Sequence, residues 1–198
     1  MLRRLTAAAI LAAGAAHAET AAPDPATLID ETVVRDIRAI LASDVVSISI
    51  EAQNARYDGA DAARIEALDK TWVAEREAAD KPLIAATLSS PLSTYLIRTQ
   101  ARSLGLYAEI FVMDRYGLNV GQSSITSDFW QGDEAKFQKS FGAGPDAVFV
   151  DEAEWDADNG IWRSQVSVTV VGDDGRPMGA ATFEFNLTEL MRRRTSGV

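Results

Sequence analysis

Apolar residues in the first half of the chain recur at helical spacing. Ile29, Val33, Ile37, Ile40 and Leu41 fall on one side of a 3.6-residue period, with Asp30, Glu31, Arg35, Asp36 and Arg38 on the other, which predicts an amphipathic helix from Leu28. Val46, Ile48 and Ile50 alternate with serines as a short strand would, but residues 51–56 resume a helical texture, so the helix is extended to about Arg56. Asp58 to Asp61 forms a break with an N-cap candidate, and Ile65, Leu68, Trp72 and Ala79 then mark a second helix ending before Pro82. Pro91 opens a third through Leu92, Leu96, Ile97 and Ala101, closed by Gly105.

The second half changes to a period of two, in short β-rich runs separated by turn signals. Residues 109–114 and 119–124 flank Arg115 to Leu118. Residues 148–155 and 161–171 flank an Asn159-Gly160 turn, and residues 166–171 and 178–187 flank Gly172 to Gly175. A loop running into a short helix, residues 127–140, lies between the first two hairpins. Helices first and an antiparallel meander afterwards predict an α+β fold, with long N-terminal helices packed on a five-stranded antiparallel sheet.

Arg3 and Arg4, the apolar run from Leu5 to Ala16 and the small-x-small end at Ala16-His17-Ala18 read as a cleavable signal peptide over residues 1–18, which makes the protein bacterial, exported and periplasmic. The apolar run is too short to cross a bilayer, and no later segment is continuously apolar for that length, so no membrane insertion is expected. Residues 19–27, with two prolines, read as a flexible linker. Residues 28–190 read as one domain, helical over 28–105 and sheet over 106–190, and residues 191–198 as a basic tail. The single histidine, His17, lies inside the leader and there is no cysteine. The mature chain would therefore lack the usual zinc, copper and haem ligands and the histidine-based catalytic triads. The formal charge of −10 becomes two units more negative when Arg3 and Arg4 are lost, which opposes nucleic acid and anionic lipid as partners.

Several stretches together resemble single Cache domains, the PAS-like extracytoplasmic sensor modules: residues 109–123 (EIFVMDRYGLNVGQS), 126–134 (TSDFWQGDE), 165–167 (QVS) and 179–183 (GAATF), with Gln53-Asn54 and residues 68–75 (LDKTWVAE) upstream. The resemblance runs from about Ile37 to Leu187. It implies helices on one sheet face and a small-molecule pocket between the other face and the loop after the second strand. Ligands of the wider family are small metabolites such as amino acids, carboxylates and amines. Fold alone does not fix function, so the residues have to be weighed themselves.

Arg163, Gln165, Ser167 and Thr169 point one way along their strand, while Trp162, Ser164, Val166, Val168 and Val170 point the other. The polar face either meets solvent or forms the floor of a pocket, in which Arg163 would suit a ligand carboxylate. Asp128 either caps the helix that follows or binds a ligand amine, and Trp130 is either a core anchor or an aromatic wall. Phe111 and Met113 share a strand face and belong to the core or to the same wall. The acidic run 151–160 departs from an EF-hand in its glycine position and in having Ser167 where the last glutamate should stand, so it reads as a hairpin tip. Gly142-Ala-Gly144 fits no phosphate-binding spacing, and Thr188 reads as a cap for the last helix, where Arg192 to Arg194 meet the helix dipole.

These readings converge on a periplasmic small-molecule-binding sensor module that acts through a membrane receptor or transporter, without catalysis, cofactor or metal. The candidate ligand contacts are Phe111, Met113, Asp128, Trp130, Arg163, Gln165 and Ser167. The alternative is a ligand-free interaction protein that docks on an envelope kinase or enzyme.

Overall fold

A computed structural model describes residues 21–196; the leader expected over residues 1–18 lies outside them. The helical half contains six helices. They are α1 (Pro25–Leu28), α2 (Glu31–Leu41), α3 (Asp44–Arg56), α4 (Ala62–Glu77), α5 (Pro82–Leu88) and α6 (Pro91–Arg102). The helix expected over 28–56 is thus divided, and the last three residues of the expected linker form most of α1. The side chain of Asp30 accepts from the backbone N–H groups of Thr32 and Val33, which starts a new helix within the apolar repeat. Ser43, in an extended conformation, separates α2 from α3.

The strands are β1 (Tyr107–Asp114), β2 (Asn119–Gln122), β3 (Val148–Val150), β4 (Glu154–Asp156), β5 (Ile161–Val171) and β6 (Pro177–Asn186). A short helix α7 (Ala135–Gln138) and a 3-10 turn (Phe141–Ala143) follow β2, and α8 (Leu187–Ser196) follows β6. The antiparallel sheet runs β2-β1-β6-β5-β3, with β4 also paired to β5. The five positions expected are present, the outer one shared by two short strands. Between them Asp151 stays tied to β5, its N–H donating to the Gln165 carbonyl at 2.9 Å and its carbonyl accepting from the Ser164 hydroxyl at 2.7 Å, while the strand ladder lapses over residues 151–153.

Alternation decides the two faces. Ile110, Val112, Val166, Val168, Phe183 and Phe185 point into one buried cluster with Ile37, Leu41, Val46, Ile50, Leu92 and Leu96 from the helices. Each such side chain stabilises the fold by roughly 1.5–3 kcal/mol through burial. The helices therefore cover the Val166 face, and the Arg163 face is the opposite one.

The last helix is held at both ends. Asn186, and not Thr188, caps α8, its Oδ1 accepting from the Glu189 N–H at 2.9 Å, while the Thr188 hydroxyl accepts from the Trp162 N–H. Arg193 donates to the Ser103 carbonyl and Arg194 to the Leu28 carbonyl and the Asp30 carboxylate, so two of the three clustered arginines tie α8 to the helical half. Among the described residues no helix is long and apolar enough to cross a membrane.

Candidate ligand-binding site

The resemblance placed a pocket between the open face and the loop after β2. That loop is held from the helical side. One face of α4 carries Asp69, Trp72 and Glu75, three residues apart. Asp69 Oδ1 accepts from the backbone N–H groups of Phe129 (2.9 Å) and Trp130 (3.0 Å). The Trp72 indole N–H donates to the Thr126 carbonyl at 3.0 Å, and its ring stacks on Phe129 with centroids 5.2 Å apart. Glu75 accepts from the N–H groups of Leu83 and Ile84 and so caps α5.

The β1–β2 turn is fastened in the same way. Asp114 accepts from the N–H groups of Tyr116 and Leu118 and from the Gln53 side chain, while Asn54 accepts from the Arg115 N–H and donates to the Met178 carbonyl. Burial pushes the Asp114 carboxyl above its ordinary value, against the pull of these donors. Gln53-Asn54 and residues 68–75, quoted above for their resemblance, thus act as the scaffold of the hairpin and loop.

On the open face, the centre is filled. Phe111, Met113 and Ala180 are buried beneath Phe137 and the half-buried Phe141, whose rings stack 5.0 Å apart. Lys136 lies 5.4 Å over the Phe111 ring, donates to Gln131 Oε1 at 3.1 Å and pairs with Glu134 at 2.9 Å. Ser167 and Thr182, fully buried cross-strand partners, share a hydrogen bond of 2.9 Å.

Toward the end of the face nearest α8, this cover stops. Arg163 stands there with Nη1 3.0 Å from Glu184 Oε1 and Nε 3.4 Å from Asp156 Oδ2. The second contact is at ion-pair distance but out of line, since Nε is buried without a hydrogen-bond partner. A cleft of about 460 Å³ opens beside this pair, walled by Tyr107, Glu109, Asp156, Ile161, Arg163 and Glu184, among others. A smaller cleft of about 190 Å³ adjoins the same pair on the side of Lys136, Glu154 and Gln165. Burial pushes the Glu184 carboxyl up. Arg163 and Lys136 pull it down, and Glu109 and Glu154 add to the rise. The Asn159 side chain, with the backbone of the turn and Arg163, holds Asp156 below its ordinary value.

The seven sequence candidates therefore fall into separate places. Arg163 lines both clefts and Gln165 the smaller one. Phe111, Met113 and Ser167 share the open face but are sealed within it. Asp128 does not cap α7: Glu134 holds the N-cap position, and the Asp128 carbonyl accepts from Asn119, Thr126 and Gln131. Trp130 packs with Tyr116, Trp72 and Phe129, its indole N–H donating to the Tyr116 carbonyl at 2.8 Å, away from Arg163. Glu184, Glu109 and Lys136 were not among the candidates. The first two were legible in the period of two, which sets Glu184 beside Gln165 and Glu109 in line with Phe111 and Met113. Lys136 sits on a helix too short to show a face. Among the described residues no group of three acidic, histidine or cysteine side chains is placed to hold a metal ion.

Fold and cleft together define an α+β domain whose helices cover one sheet face and whose other face, capped at its centre, carries a charged cleft at one end. No family model matches the chain, and no curated protein matches it. Among solved structures it is similar to the ligand-binding domain of the amino-acid chemoreceptor PctC of Pseudomonas aeruginosa PAO1 in complex with GABA (16% identity, 73% of this chain and 59% of that one, TM-score 0.36). It is also similar to the sensor domain of the V. cholerae histidine kinase DctB (16% identity, 81% and 58%, TM-score 0.38). A third is the ligand-binding domain of the Pseudomonas fluorescens chemoreceptor CtaA in complex with L-alanine (13% identity, 74% and 58%, TM-score 0.38). The chain spans about three fifths of the length of these structures. At such identities and TM-scores neither ligand nor role carries over from them.

Proposed function

We propose that the protein is a periplasmic small-molecule-binding sensor module that works without catalysis and passes its state to a membrane receptor or transporter. The observation that supports this is the cleft of about 460 Å³ beside Arg163, on the face the helices leave free. Its size falls within the usual range for small-molecule pockets. The docking alternative calls for a face plugged by Phe129, Trp130 and neighbouring side chains, and the binding reading for a cavity of about 300 Å³ or more with Arg163 at its wall; Phe129 and Trp130 belong to the Trp72 cluster instead. Phe137 and Phe141 fill the centre and leave the Arg163 end open.

Thermal unfolding of the purified protein against a panel of amino acids, carboxylates, amines and nucleobases tests the proposal. A compound at one hundred times its Kd should stabilise by about 2.7 kcal/mol, a rise in Tm of roughly 5–10 °C for a domain of this size. Ala108 lines the cleft, so Ala108→Phe should fill it and abolish the shift without presupposing the ligand's charge. A panel with no active member, or a shift that survives Ala108→Phe, overturns this assignment.

A further inference from the structure

Arg163 is the cation of this face, yet its Nη1 is already paired with Glu184 at 3.0 Å and its buried Nε lies at ion-pair distance from Asp156. The remaining charge is of the other sign. Glu109, Asp156 and Glu184 line the larger cleft and four more carboxylates line the smaller, against Arg163 and Lys136 alone, and Lys136 is itself paired with Glu134.

Glu109 and Glu184 are directly opposed across β1 and β6. Like charges in that position repel and destabilise the pairing. Glu184 is 8% exposed, with Oε1 paired to Arg163; among the described residues nothing donates to its other oxygen, and the side chain lines both clefts. Glu109 has a hydrogen bond of 2.6 Å from the Ser124 hydroxyl and no cationic partner among the described residues. Ile161, on the wall of the same cleft, supplies apolar surface for a carbon chain.

Resting on the sensor assignment, we propose that the cleft takes an organic cation, seating an ammonium or guanidinium group between Glu109 and Glu184, and turns carboxylates away. Directional N–H donors would satisfy the free Glu184 oxygen and the Glu109 carboxylate together, and the added charge would cancel the repulsion between them. A bare metal ion would find too few oxygen ligands, because no third acidic side chain converges with these two among the described residues. Burial and the Glu109 charge push the Glu184 carboxyl up, and a bound cation would draw it back down.

Isothermal titration calorimetry on the purified protein tests this with putrescine, spermidine and agmatine as probes, alongside succinate, glutamate and alanine. At least one amine should bind, while the compounds that carry a carboxylate should not. Glu184→Gln and Glu109→Gln keep the side-chain shape and remove the charge, so each should weaken that amine about tenfold or more. If Glu184→Gln fails to fold, Glu109→Gln carries the measurement alone, since its position is less enclosed. Binding of a carboxylate or amino acid with the amines silent overturns the inference and leaves the sensor proposal standing. Amine binding unchanged in the glutamine variants overturns it too. Silence of every compound overturns the inference, and the sensor proposal then stands or falls on the wider unfolding panel.

Discussion

Replacing Asp69 should loosen the loop after β2 without touching the cleft. Its Oδ1 accepts from the backbone N–H groups of both Phe129 and Trp130, and Phe129 is buried. In Asp69→Ala both donors lose their acceptor. A buried N–H left unpaired costs about 1–3 kcal/mol, and Trp130 is only half-buried, so a total near 3 kcal/mol is expected. Asp69→Asn keeps an oxygen where both bonds end and loses only the charge, so it should cost about 1 kcal/mol. Urea unfolding followed by tryptophan fluorescence and by far-UV circular dichroism would give the two values, with Tm falling by roughly 6–12 °C for the alanine variant. Because Asp69 and Arg163 serve different ends of the molecule, ligand affinity should stay within about twofold in either variant. Equal losses for alanine and asparagine would refute the reasoning, because the carboxylate charge and not the acceptor position would then be holding the loop. An alanine variant as stable as the parent would refute it from the other side.

Gly117 has a φ of +83°, and a Cβ there would lie 2.6 Å from Gly132 Cα, with backbone on both sides of the contact. Gly117→Ala should therefore destabilise by about 2–4 kcal/mol, measured by urea unfolding, and a smaller loss would mean that the β1–β2 turn and the Gly132 segment separate readily. Glu184 titrates above its ordinary value of 4.5 when folded, so the folded state binds its proton more tightly than the unfolded state. Its contribution is fully present below that value and is lost as pH rises through the raised folded one. Glu184→Gln cannot ionise, so its stability relative to the parent should improve as pH rises from below 4.5 through the raised folded value, and a difference that stays constant with pH would contradict the burial argument.

Much of the architecture was legible along the chain because it depends on local rules. The switch from a period of 3.6 to a period of two separated helices from strands. The turn glycines marked three hairpins, and Gly117, Gly160 and Gly175 all have positive φ. Boundaries were less legible where one local signal hid another. Asp30 lies on the polar side of an apolar repeat and looks like part of a helix, although its side chain caps the helix that begins at Glu31. Helix α5 was missed because seven residues show too little of a period, and because the Glu75 carboxylate that caps it comes from another helix.

The site was harder to read for a related reason. Alternation along β5 placed Arg163, Gln165 and Ser167 on one face, but alternation does not say which part of a face is covered. Phe137 and Phe141 settled that by closing the centre over Phe111 and Met113. Trp130 and Asp128 follow β2 closely in the chain, yet Asp69 and Trp72 hold their loop against α4, so nearness in sequence did not become nearness to Arg163. Periodicity and turn chemistry, which act between neighbours in the chain, determined the α+β class, the hairpins and the polar character of one sheet face. The packing of remote segments decided the rest: the helices took the Val166 face, α7 capped the centre of the other, and the β1–β6 pairing set Glu109 against Glu184. Contacts of that kind depend on where side chains from distant parts of the chain meet, which local spacing does not encode.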